Sequence, residues 1–302
     1  MPLTKSSPKP KPNRLHFEAI GTHWSIEVFG EQQIGEQLKL AIHQRIEVFD
    51  KHYSRFRADS LVTEMSRHSG EYKLPADAKP MFDLYRQLYD LSGGAVTPLI
   101  GQTLSDAGYD ASYSLDPKKL QSPPDWGEVL EYSYPKLKLQ RPVLLDLGAL
   151  GKGYLVDIVA SLLEKAGYHI YCVDAGGDML YRGSNNQPIQ VGLEHPDDPT
   201  QVIGVVELHN QALCGSAGNR RAWANYHHII DPKKLTSPQH IKALWVTADS
   251  TMLADGLATA LFFVSPEVLA RRYTFEYAII FADASLQHSN SFPAQFFTSR
   301  GV

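Results

Sequence analysis

The stretch from Pro142 to Gly183, PVLLDLGALGKGYLVDIVASLLEKAGYHIYCVDAGGDMLYRG, constrains this chain more than any other. Val143, Leu144 and Leu145 form a short apolar run that predicts a strand ending at Asp146. Gly148, Gly151 and Gly153 then predict a tight turn whose backbone can come close to a ligand. From Tyr154, the residues Leu155, Ile158, Val159, Leu162 and Leu163 recur at helical spacing until Gly167 supplies a stop. A second apolar strand and the turn Gly176-Gly177 before Asp178 complete the unit. A strand, a glycine turn and a helix N-terminus suit an anion such as phosphate. The same order also suits a plain β-α connection that binds nothing. Two familiar phosphate signatures fail on spacing. A P-loop needs four residues between its first glycine and Gly-Lys, and here two separate Gly148 from Gly151. A dinucleotide fingerprint reads G-x-G-x-x-G, whereas this chain reads G-x-x-G-x-G.

Around this unit the pattern is mixed. His16 to Phe29 predicts two strand pieces around Gly21-Thr22. Leu38, Ile42, Ile46 and Phe49 place a helix over about 34–53, and a second helix covers about 80–91 before Ser92-Gly93-Gly94. Residues 105–127 read as loop with a short helix, and 129–139 as a hairpin. Short strands follow Gly183, then a strand over 243–247, and DSTMLADGLATALFFV reads as a helix capped by Asp249 or Ser250. A last helix starts at Ser265-Pro266, and Tyr277 to Phe281 predicts a closing strand. Helices and strands without strict alternation predict an α+β fold of mixed or antiparallel sheets with packed helices.

Net charge is −4, from 29 basic and 33 acidic residues, which leaves no electrostatic footprint for nucleic acid. Residues 1–14, MPLTKSSPKPKPNR, have almost nothing to bury and predict a disordered Lys/Pro-rich tail, with one domain over 15–302. That tail has neither the apolar core of an export signal nor a lipoprotein cysteine, and no run is long enough for a membrane span. Cys172 and Cys214, both in apolar strand-like segments, fit a reducing compartment, so a cytoplasmic location is expected.

Two groups of residues could carry chemistry. Asp255 and Thr259 are four apart on a predicted helix and share one face, so they could offer hard oxygens to Mg2+ or form a solvated polar pair. His227 and His228 precede Ile229-Ile230-Asp231. Neighbouring side chains on a strand point to opposite faces, so only one imidazole can serve a given site as a base. Asp178 is read as support for its turn. Phe56, alone in a polar segment, reads as core or as a stacking platform.

Taken together, eight segments in order resemble the ApbE-type FAD:protein FMN transferases. They are IGTHWSI (20–26), FDKHYSRFRADS (49–60), SGGAVTP (92–98), DLGALGKGYLVD (146–157), VDAGGDMLYRG (173–183), SAGNRRAW (216–223), HHIIDP (227–232) and ADGLATALF (254–262). The resemblance implies an ApbE-like, T-fold-related architecture with an FAD cleft between subdomains. It implies Mg2+-dependent transfer of FMN from FAD, as substrate, to a Thr or Ser hydroxyl of an acceptor flavoprotein, with AMP released. By the same resemblance Asp255, Thr259 and the Ala149 carbonyl hold the metal, and His228 is the base. Ile20, Phe56, Ala95, Val96, Thr97, Asp146, Lys152 and Ile229 contact the flavin nucleotide. The chain departs from the family pattern at Ile20, where Met is common, and at Thr97, where many members carry Asp. It departs again at Ser216-Ala217-Gly218 and in the 233–238 segment, which lacks glycine. The departures at 94–98 and 233–238 motivate a second reading, an FAD carrier without transferase activity, and a third is a Mg2+-dependent FAD pyrophosphatase.

Overall fold

The computed structural model describes residues 13–183, 187–219 and 221–297. Most of the expected tail lies outside the described residues, but Asn13 and Arg14 already belong to the first strand. β1 (Asn13–Ala19) and β2 (Thr22–Val28) form a hairpin. Its two turn residues, Ile20 and Gly21, both have positive φ, 46° and 73°, as a two-residue hairpin turn of primed type requires. α1 (Glu36–Tyr53) buries Ile42, Ile46, Phe49 and Tyr53, spaced three or four apart on one face. α2 (Leu61–Met65) opens at Ser60, whose Oγ accepts from the Thr63 N–H at 3.1 Å. After β3 (Gly70–Lys73) comes α3 (Ala78–Leu91), then a 3-10 turn at Pro98–Ile100 and α4 (Gly101–Asp106). A long loop leads to α5 (Trp126–Val129), β4 (Leu130–Ser133) and β5 (Lys136–Leu139), and β3, β5 and β4 form a small antiparallel sheet.

The central unit differs from its sequence reading in one informative way. Pro142 to Leu147 joins no sheet, and α6 (Gly148–Lys165) begins six residues before Tyr154. The glycines therefore lie inside a helix, and none of Gly148, Gly151 and Gly153 has positive φ. Close packing explains Gly153: a Cβ there would lie 2.4 Å from the Thr251 carbonyl oxygen and 2.8 Å from the Asp255 Cβ. What reads as turn chemistry is a helix made bare so that another can sit against it.

That other helix follows a run of strands: β6 (Tyr171–Ala175), β7 (Asp178–Arg182), β8 (Ile189–His195), β9 (Asp198–Leu208) and β10 (Ala212–Ala217). The short pair β11 (Ala222–Trp223) and β12 (Tyr226–His227) precedes β13 (Ile241–Ala248). α7 (Thr251–Ala260) is then capped by Ser250, not Asp249, through the Leu253 N–H. α8 (Pro266–Ala270) and β14 (Glu276–Phe281) fall where the sequence places them. β15 (Leu286–His288) and β16 (Ala294–Phe296) are additional.

Eight strands form one antiparallel sheet in the order β1-β2-β6-β7-β10-β13-β14-β15. Strand alternation feeds two cores. Cys214, Leu244, Val246 and Ile279 face the layer of helices, while Leu213, Trp245, Ala278 and Ile280 face a three-stranded sheet of β16, β9 and β8. A third, smaller cluster joins Leu104, Ala107, Tyr109, Trp223 and Ile230 at one end. The α+β expectation holds. The molecule is a mixed structure of helices packed on antiparallel sheet.

Candidate active site

One cleft of about 940 Å3 opens where these layers meet, and every site position named from the sequence lines it. Ile20 comes from the β1–β2 turn, Phe56 from the segment after α1, and Ala95, Val96 and Thr97 from the segment before the 3-10 turn. Asp146, Ala149 and Lys152 come from the start of α6, His228 and Ile229 from just past β12, and Asp255 and Thr259 from α7.

Asp255 is buried, and its Oδ2 accepts from the Gly153 N–H at 2.9 Å. In an α-helix that N–H would be aimed at the Ala149 carbonyl. Ala149, Asp255 and Thr259 thus belong to one junction between α6 and α7. Burial pushes the Asp255 carboxyl up from its ordinary pKa, and the nearby Lys152 charge and the Gly153 N–H pull it part of the way back. A buried carboxylate with one N–H partner is an electrostatic demand for a cation.

Two further carboxylates are matched to cations. Arg55 Nε donates to Asp146 Oδ2 at 2.5 Å, and the Gly148 N–H donates to Asp146 Oδ1 at 2.8 Å. Arg55 Nη1 donates to the Tyr109 carbonyl at 2.7 Å. Lys152 forms an ion pair with Asp178, a residue only 1% exposed in β7. Asp178 thus does more than support its turn: it anchors the one cleft lysine of α6.

The two adjacent histidines divide, although only His227 lies in a strand and His228 follows it in a bend. His227 is locked by three contacts: its N–H donates to Ser237 Oγ, its Nε2 faces the Pro238 carbonyl at 2.9 Å, and its Nδ1 accepts from the Ile229 N–H at 3.2 Å. His228 faces the cleft, and its Nδ1 is buried without a hydrogen-bond partner. Burial, then the charges of Arg221, His227 and Lys152, hold its pKa down at about 3. Its imidazole is therefore neutral at pH 7, with a ring nitrogen to spare.

Sequence reasoning missed Arg55, Arg221, Tyr109, Tyr113 and Trp223, all of which also line the cleft. The one available signal for Arg55 was its place next to Phe56, inside a segment already singled out.

Comparison with known proteins gives the family and the fold. Residues 20–279 match the model of the ApbE family. The chain belongs to the ApbE family. It is 23% identical over 288 residues to the FAD:protein FMN transferase of Klebsiella pneumoniae, covering 87% of this chain and 82% of that one. Among solved structures it resembles the ApbE protein of Thermotoga maritima, with a TM-score of 0.81 and 20% identity over 94% of this chain and 100% of the other. It also resembles the flavin transferase ApbE of Vibrio cholerae, with a TM-score of 0.76 and 22% identity over 93% and 98%.

Proposed function

We propose that this chain is an FAD:protein FMN transferase that moves FMN from FAD onto a Thr or Ser hydroxyl of an acceptor flavoprotein and releases AMP. One observation carries the reading. Positions scattered from Ile20 to Thr259 converge on a single cleft that presents an unpartnered imidazole and a buried carboxylate together.

The step balances simply. The acceptor oxygen bonds to the FMN phosphorus, and the bond from that phosphorus to the bridging oxygen breaks. The bridging oxygen leaves with AMP. A hydroxyl is a weak nucleophile until a base removes its proton, and His228 is the imidazole that lines the cleft and could take it. Lys152 and Arg221 bring positive charge to the same wall, where an anionic nucleotide would be held. Burial and the charges of Arg221, His227 and Lys152 all hold His228 down, so a bound pyrophosphate that offset Arg221 and Lys152 would relieve only part of that depression.

The donor set fits Mg2+, a hard cation that takes a few protein oxygens and fills its shell with water and phosphate. Asp255, Thr259 and the Ala149 carbonyl would hold it. Among the described residues no cluster of three His, Cys, Asp or Glu forms, and the nucleotide would complete the shell of such a site. When bound, the metal would offset the charge on the pyrophosphate oxygens.

No helix among the described residues is long and apolar enough to cross a membrane. Both cysteines are free thiols, which supports a reducing, cytoplasmic setting for enzyme and acceptor. The reading is tested by mixing the chain with FAD, Mg2+ and a candidate acceptor and weighing the acceptor. Covalent FMN with stoichiometric AMP supports transfer. FAD bound tightly with neither product would instead make the chain a carrier, and FMN and AMP formed without an acceptor would make it a pyrophosphatase.

A further inference from the structure

α6 and α7 are joined by a ladder whose rungs are four residues apart on each helix. The Gly153 N–H donates to Asp255, and four residues on in α6, Asp157 accepts from the backbone of Thr251, four residues back in α7. The two helices therefore run antiparallel at this crossing. The same step taken the other way brings Ala149 level with Thr259. The three residues that would hold the metal thus occupy two rungs of the ladder, and Asp157 makes the third.

That third rung is the firmest. Asp157 Oδ1 accepts from the Thr251 N–H at 2.8 Å, and its Oδ2 accepts from the Met252 N–H at 2.9 Å. These are the first two N–H groups of α7, which no carbonyl of the helix itself can satisfy. With both carboxylate oxygens engaged, α7 cannot turn about its axis or slide along α6 without breaking a bond. Burial pushes the Asp157 carboxyl up from its ordinary pKa, and the Met252 and Thr251 N–H groups and the Arg182 charge pull it back. Arg182 also donates from Nη2 to the Asp249 carbonyl at 2.9 Å, just ahead of the cap. On the other side, Cys214 Sγ meets the Thr251 carbonyl at 3.5 Å. Ser250 differs from all of these. Its Oγ accepts from the Leu253 N–H at 3.3 Å, a bond that stabilises α7 without referring it to α6.

We propose that Asp157 is the positioning residue of the metal site: it sets the register of α7 on α6 and so holds Asp255 and Thr259 against the Ala149 carbonyl. Asp157 lies outside the cleft lining and acts only through α7. A slip of one residue would carry Asp255 and Thr259 about 1.5 Å past Ala149. That is about three times the roughly 0.5 Å within which a binding constellation must be held. The assignment rests on reading Ala149, Asp255 and Thr259 as the Mg2+ ligands, and it needs no acceptor.

The test is calorimetric titration of Mg2+ into the full chain saturated with FAD, for the parent, Asp157→Ala, Asp157→Asn and Ser250→Ala. In Asp157→Ala the Mg2+ Kd should rise about tenfold or more, within the roughly 10–100-fold lost when groups that orient metal ligands are removed. Asp157→Asn keeps one acceptor oxygen and should fall between that variant and the parent. Ser250→Ala loses a cap but keeps the register, so it should melt earlier and bind Mg2+ as the parent does. FAD affinity measured without Mg2+ should be the same in all four. An unchanged Mg2+ Kd in Asp157→Ala, or in Asp157→Asn if the first does not fold, would overturn the assignment. An equal rise in Ser250→Ala would also overturn it, because fraying of α7 alone would then weaken the site. If the parent itself binds no Mg2+, the metal reading falls and this assignment with it; Mg2+ binding that the Asp157 variants leave unchanged removes this assignment alone.

Discussion

Asp255 in the middle of α7 accepts a hydrogen bond from the backbone of Gly153 in α6, 102 residues earlier in the chain, at 2.9 Å. The contact exists because Gly153 has no side chain: the space a Cβ would fill is taken by the Thr251 carbonyl and the Asp255 side chain. Helix propensity alone would make Gly153→Ala more stable by roughly 1 kcal/mol. Overpacking at this crossing should reverse the sign, with a net loss of about 1–3 kcal/mol measurable by urea unfolding.

The Asp255 carboxyl titrates above its ordinary value because it is buried. Its ionisation therefore favours the unfolded chain, and the penalty grows as pH rises from the unfolded pKa through the raised folded one. Asp255→Asn removes that penalty. At pH 7 without metal the variant should unfold at the same temperature as the parent or higher. Added Mg2+ should raise the melting temperature of the parent and leave the variant unmoved.

For His228 the sign runs the other way. Its native pKa of about 3 lies below the ordinary 6.5, so the native state binds fewer protons than the unfolded chain between those values. The stability this gives is complete above the unfolded pKa and is lost as pH falls toward 3. His228→Gln should flatten the acid limb of an unfolding-against-pH curve. The remaining slope should reflect His52 and His227, also depressed by burial, together with carboxylates held low by hydrogen bonds such as Asp110 and Asp198.

Arg55 and Asp146 form a pair of which Arg55 is almost wholly buried, its side chain 2% exposed. Arg55→Ala would strand the carboxylate at the start of α6 and should cost about 3–5 kcal/mol in denaturant unfolding. FAD affinity should fall with it, because the same arginine backs Phe56.

The sequence carried the cleft further than it carried the helix that builds it. Segment identity brought Asp146, Lys152, His228, Asp255 and Thr259 to one place without any knowledge of their contacts. It misplaced the start of α6 because glycine is a poor helix former, and three glycines within six residues read locally as a turn. The reason these glycines are tolerated lies in α7, a hundred residues away, and no local pattern shows it. The same limit hid Arg55 as partner of Asp146 and Asp178 as partner of Lys152, since each pairing is made only by the fold. β15 and β16 were missed because each is three residues long, too short for a periodic pattern to register.

The account stands or falls on His228 as the base of a transfer to protein. The direct measurement is the intact mass of an acceptor flavoprotein after incubation with FAD, Mg2+ and either the parent chain or His228→Ala. The parent should add one FMN to an acceptor Thr or Ser with one AMP released, while His228→Ala should add none and still bind FAD. Full flavinylation by His228→Ala, or none by the parent with competent acceptors, would contradict it.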